Sequence, residues 1–115
     1  MAKSRWHILW DAQGVTLARR VPVRFDICVE ITLPKARKLY LAQQIRQDLW
    51  RRSKNLRGFA PVVRVVECEH GLLVRAGGQV QGAIPRQRVE DDIRTLLSDG
   101  RLQFRWLNQA RLRLQ

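Results

Sequence analysis

The sequence predicts an α+β domain, an antiparallel sheet with helices packed mainly on one face, and three observations carry that expectation. Residues 21–33 alternate strictly: Val21, Val23, Phe25, Ile27, Val29, Ile31 and Leu33 interleave with Pro22, Arg24, Asp26, Cys28, Glu30 and Thr32. That is the pattern of a strand covered on one side and wet on the other. Residues 34–56 place Leu39, Leu41, Ala42, Ile45, Leu49 and Trp50 on one arc of a long helix. Residues 62–84 are apolar, valine-rich segments separated by His70-Gly71 and Gly77-Gly78, as in a meander. With 115 residues and 45% apolar content, the chain (1–115) is sized for a single domain that buries a real core.

The first element is an N-terminal hairpin: residues 5–10, a loop Asp11-Ala12-Gln13-Gly14, and residues 15–17. Trp6, Ile8 and Trp10 share one face by the two-residue period. Paired indoles either stack bases or fill the edge of a small core; the second is favoured, because they lack the dense Arg and Lys found later. The long strand then runs to Pro34, a residue tolerated in a first helical turn, so the helix is expected to begin at once. It closes near Gly58, suited to a left-handed cap, before Pro61.

The meander comprises three strands, 62–68, 72–76 and 79–84, with Gly77-Gly78 as a two-residue turn at positive φ. Pro85 opens a helix over 86–98, in which Val89, Ile93, Leu96 and Leu97 face the core. Glu90, Asp91 and Asp92 lie near its positive end. Residues 101–115 fit a strand through Leu102, Phe104 and Trp106, or a helix through Leu102, Trp106, Leu107, Ala110 and Leu114. The absence of β-branched residues favours a helix over 101–113; a strand would give the β-α-β-β-α-β ferredoxin-like order.

Charge is the strongest pointer to a partner. There are 22 Lys and Arg against 10 Asp and Glu, a net +12. Residues 34–59 hold eight basic groups and one acidic group. Basic residues concentrated on one helix are the electrostatic footprint of a nucleic-acid binder, and the excess of Arg over Lys favours forked phosphate contacts. The candidate interface is therefore Lys35, Arg37, Lys38, Arg46, Arg51, Arg52, Lys54 and Arg57, with Gln44 and Gln47 as hydrogen-bonding readers and Arg24 flanking. RNA is placed ahead of DNA. An acidic protein partner, in an assembly anchored by the tryptophans, is the alternative.

Catalytic and cofactor motifs are missing. The chain has no phosphate-cradling glycine loop, HExxH, metal-spaced Cys and His set or nucleophile elbow, so no catalytic residue, metal or cofactor is assigned. Cys28 and Cys68 are widely separated and read as incidental thiols. His70 reads as a turn residue, and Glu67 and Glu69 as strand-end charges. No apolar run approaches a membrane span, and the start has too short an apolar stretch for a signal peptide, so a cytoplasmic protein is expected.

The order helix, three strands, helix from Pro34 to Leu97 resembles that of double-stranded-RNA-binding domains, which implies a basic patch opening the second helix; Glu90, Asp91 and Asp92 depart from it. A strand, a basic helix, Leu56-Arg57-Gly58 and three strands also resemble ribosome-dependent toxin nucleases. That resemblance implies basic residues near a scissile phosphate, for which Arg64 and Arg75 would serve. The late tyrosine common in those enzymes has no counterpart, because Tyr40 lies in the long helix.

Overall fold

Four valine-rich and isoleucine-rich segments supply most of the sheet, and their register decides which side chains meet the helices. In the computed structural model, which describes residues 6–112, the strands are β1 (His7–Trp10), β2 (Gly14–Ala18), β3 (Ile27–Leu33), β4 (Phe59–Cys68) and β5 (Gly71–Val80). They form one antiparallel sheet in the order β1-β2-β4-β5-β3. The helices are α1 (Lys38–Ser53), α2 (Arg86–Ser98) and α3 (Gly100–Gln109). The fold is α+β, as the periodicities predict.

Two rows cross the sheet beneath the helices: Val15, Val65, Val74 and Ile31, and beside it Leu17, Val63, Ala76 and Val29. Helix α1 packs over β2 and β4, α2 over β3 and β5, and α3 against both helices. Together they bury Leu41, Ile45, Leu49, Ile93, Leu96 and Trp106 in a core with those rows. The other sheet face carries the row Thr16, Arg64, Arg75, Glu30. Two arginines directly opposite would repel. Each is neutralised sideways, Arg64 by Asp11 and Arg75 by Glu30.

Several boundaries differ from the sequence reading, each for a physical reason. The strand expected over 21–33 is β3, confined to Ile27–Leu33. Pro22, whose peptide bond with Val21 is cis, has no N–H to give a ladder. Asp26 keeps one backbone bond to β5, to Gly78 O, but accepts the Val80 N–H on its carboxylate at 2.7 Å, which ends the regular pairing. The helix expected over 34–56 runs from Lys38 to Ser53. Residues 34–37 stay outside the helix: Ala36 is buried, and Arg37, extended, donates its N–H to Ala110 O at 2.8 Å.

The meander over 62–84 is one long hairpin of two strands, not three. Gly77 and Gly78 pair within β5 instead of turning. A Cβ on Gly77 would lie 1.8 Å from Ile27 O, so these glycines are there for close strand approach, not for a positive φ. With two strands between α1 and α2, the double-stranded-RNA-binding order is not present. Instead β3 and β4 run parallel with β5 between them, joined by the α1 crossover, in a split βαβ arrangement.

Helix α2 matches the expected 86–98 with the expected buried face. Its first turn is Arg86, Gln87, Arg88 and Val89, so the acidic trio sits one turn further in; there Glu90 pairs with Arg94 and Asp91 accepts from Gln87. Residues 101–109 are helical, which resolves the ambiguity; Asp99 caps α3 by accepting from Arg101 N and Leu102 N. Helix α3 stops at Gln109 with Ala110 as its C-cap, short of the expected 113; the predicted start of the hairpin at Arg5 lies outside the described residues.

Candidate nucleic-acid interface

Helix α1 sorts its residues differently from the simple two-face reading. Leu41, Ala42, Ile45, Asp48, Leu49 and Ser53 are buried, so the only acidic residue among 34–59 lies inside. Its carboxylate accepts from Trp106 Nε1 at 2.7 Å and Arg51 Nη1 at 3.3 Å, and also from Arg105. Arg51 thus departs from the expected phosphate-binding set and joins a structural network, although its tip stays exposed.

Three other predicted contacts are also engaged. Arg37 donates from Nη2 to Gln109 O at 3.2 Å, its Nε is buried without a partner, and its guanidinium lies 3.9 Å from the Tyr40 ring. It closes the C-terminal end of α3, where a cation is favoured. Lys38 is ion-paired with Glu67, and that contact holds the Glu67 carboxyl below its usual range. Arg46 stacks 5.2 Å from the Trp6 ring, and burial lowers its pKa. Gln44 is half-buried. What remains open from the predicted set is Gln47 on α1, Lys35 before it, and Arg52, Lys54 and Arg57 at its C-terminal end. Lys54, Arg52 and Arg57 have no ion pair or side-chain hydrogen bond among the described residues.

That end of α1 borders a cleft of about 560 Å³ whose lining includes Arg19, Arg20, Arg24, Trp50, Lys54 and Gln81. Three cations come from the segment after β2 and one from the helix. Gly58 lets the chain close the cleft: its φ is +82°, and a Cβ there would meet Gln81 O at 2.2 Å. Gln81 N donates to Gly58 O at 2.8 Å, tying the start of β4 to the end of β5.

The four cations differ in how far they are committed. Arg24 is bound to the Asp26 carboxylate through Nε at 3.0 Å and to Val80 O. The Arg24 hydrogen bond, with the Val80 N–H behind it, lowers the Asp26 pKa, and nearby Arg86 adds to the effect. Arg20 donates to the neutral Gln81 Oε1 at 3.2 Å. Arg19 lies 4.7 Å from the Trp50 ring and 5.6 Å from Trp6, contacts that leave its charge uncompensated. With Lys54, the cleft presents three cations not cancelled by a carboxylate, enough to hold one or two phosphate groups.

Arg19 and Arg20 were not in the predicted interface. They lie about thirty residues before the helix end they face, and the dibasic pair between two strands was their sole signal. The tryptophans divide: Trp6 packs on the core, meeting Trp50 edge to face at 6.3 Å, whereas Trp10 is 58% exposed. Trp10 therefore does not fill the core edge, because β1 is an edge strand beyond the reach of α1.

Arg64 and Arg75 lie on the open sheet face. Arg64 donates to Asp11 Oδ2 at 2.7 Å and to Thr16 Oγ1 at 2.8 Å; Arg75 donates to Glu30 at 2.6 Å. The Arg64 hydrogen bond, with the Gln13 N–H, lowers the Asp11 pKa to about 2. A depressed carboxylate stabilises the fold above its unfolded pKa, and that contribution fades as pH falls through the folded value. The Asp11 carboxyl carbon is accordingly expected to titrate by NMR near pH 2, and hairpin stability to decline from about pH 4 downwards; titration at an ordinary aspartate value would disprove the contact.

Cys28 lies on this face; partial desolvation of its thiol, with the Glu30 charge nearby, raises the pKa, which disfavours the nucleophilic thiolate. Among the described residues no group of His, Cys, Asp and Glu could hold a metal ion, and no helix is long and apolar enough to cross a membrane. The chain matches no family model, and neither a curated protein nor a solved structure matches it.

Proposed function

We propose that the protein binds nucleic acid without cleaving it, RNA ahead of DNA, through the cationic cleft and the adjoining exposed end of α1. The observation that supports this is the convergence of Arg19, Arg20 and Lys54 on one concave surface beside Trp50, with Arg52 and Arg57 exposed on the same helix end. Those groups neutralise phosphates, which gives affinity without sequence discrimination. Gln81, and Gln47 on the outer side of α1, supply hydrogen bonds to sugars or base edges.

The test is fluorescence-anisotropy binding to single-stranded RNA, double-stranded RNA and double-stranded DNA between about 50 and 200 mM salt. Replacing Arg19, Arg20 and Lys54 together by Gln is expected to weaken binding to every sequence and to reduce the log–log salt slope by about 2 to 3. Near-UV circular dichroism checks that the tryptophan cluster survives. A folded triple variant with unchanged affinity would remove the cleft from the interface.

A second reading, docking of an acidic protein, draws on Phe104, which is 75% exposed on α3 between Arg101 and Arg105. An aromatic ring flanked by arginines has the composition of an interface anchor. A stable assembly in solution, free of nucleic-acid absorbance after purification, would favour it.

A further inference from the structure

The cleft adjoins the tryptophan cluster alongside α1. Trp50 lines it and meets Trp6, and Arg19 lines it and stacks on both rings. From Trp6 the two-residue period carries Ile8 and Trp10 along the same side of β1. The register confirms that side, pairing Ile8 with Leu17 and Trp10 with Val15, both core residues under α1. Ile8 and Trp10 are nevertheless 47% and 58% exposed.

Helix and strand run in opposite directions here. Trp6 lies beside Arg46 and Trp50 in the later turns of α1. The other end of β1 leads to the turn where Gln13 O accepts the Glu67 N–H, and Glu67 pairs with Lys38 at the helix start. An apolar shelf of Ile8 and Trp10 therefore flanks the helix and joins the cationic cleft at Trp6. No carboxylate belongs to residues 6–10, and the next one, Asp11, is held by Arg64.

We infer that shelf and cleft together seat a single-stranded nucleic acid, with its phosphates in the cleft and along Arg46 and its unpaired bases on Trp10 and Ile8. The inference rests on the nucleic-acid reading of the cleft. A duplex hides its base faces in its own stack and gains nothing from an exposed indole. A single strand offers phosphates and free π-faces together, the combination met by cationic grooves lined with aromatics. The net charge of +12 supplies the matching sign.

The experiment compares a labelled oligouridylate with an RNA duplex on the full chain. Trp10→Ala is expected to lower oligouridylate affinity about 5- to 100-fold while leaving duplex affinity and the salt slope unchanged. Trp10→Phe, which keeps a ring, is expected to retain most of the affinity but to lose most of the tryptophan quenching seen on binding. Single-strand affinity within about two-fold of wild type in folded Trp10→Ala would overturn the shelf, as would a wild-type preference for duplex.

Polyglutamate separates charge from stacking. If it displaces oligouridylate as well as unlabelled oligouridylate does, from Trp10→Ala and wild type alike, the surface reads charge alone and an acidic polypeptide is the better ligand. If no nucleic acid binds at all, the cleft reading falls and the shelf with it. Tight duplex binding with Trp10 silent removes the shelf alone.

Discussion

Gly77→Ala is expected to destabilise the fold by about 3 kcal/mol or more. The added Cβ would lie 1.8 Å from Ile27 O and 2.6 Å from Ile27 C. Backbone cannot rotate out of the way as a side chain can, so β3 must separate from β5 or the chain must bend. Because α2 packs over both strands, the damage is expected to spread from the sheet edge into the helix layer. Urea denaturation measures the loss, and amide exchange should show the β3 protons, normally paired across Ile27–Leu33, exchanging first. A midpoint equal to wild type would mean that β3 does not approach β5 as described.

Asp48→Ala is expected to cost roughly 2 to 4 kcal/mol, which for a chain of this size lowers Tm by about 10 °C. The cost has two origins. Trp106 is fully buried and its Nε1–H would lose its acceptor. Arg51 and Arg105, both bound to the same carboxylate, would then face each other uncompensated. Asp48→Asn keeps one acceptor oxygen and should lose less. On a Trp106→Phe background, where the buried donor is gone, Asp48→Ala should cost less than in wild type. Equal costs on both backgrounds would show that the indole hydrogen bond contributes nothing.

What could be read from the sequence was what local periodicity controls. The first hairpin, the alternating stretch within β3, the apolar face of α2 and the basic character of α1 all follow from patterns a few residues wide. The failures have tertiary causes. Pro34 is compatible with a first helical turn, but Arg37 is drawn into an extended N-cap by Ala110 O, more than seventy residues later. Gly77-Gly78 carries the composition of a turn, and only the neighbouring strands reveal that the missing side chains make room for carbonyls.

The candidate interface follows the same division. Charge along 34–59 located the exposed end of α1, with Arg52 in its last turn and Lys54 and Arg57 just beyond it, because polar residues at a helix end and in the following turn stay solvated. Counting could not show that Arg51 and Arg37 would be captured by Asp48 and by the end of α3. Nor could it bring Arg19 and Arg20 to the helix, since the cleft exists only where the segment after β2 meets the end of α1. Residue spacing puts Trp10 at a core edge, but β1 lies at the margin of the sheet and leaves it exposed.

The placement of β2 beside β4 also bears on synthesis. Val15 pairs with Val65, so the first hairpin leaves the ribosome well before its partner strand exists; at about 5 to 20 residues per second the interval is several seconds. A lone two-stranded hairpin is marginal in water, which leaves its tryptophans open to chaperones during that time. The cleft lining extends from Arg19 to Gln81, so a nascent chain has scattered positive charge but no phosphate-sized cavity until most of the polypeptide is complete. In the proposed function this order delays capture of RNA, including the RNA of the ribosome itself, until the sheet has closed.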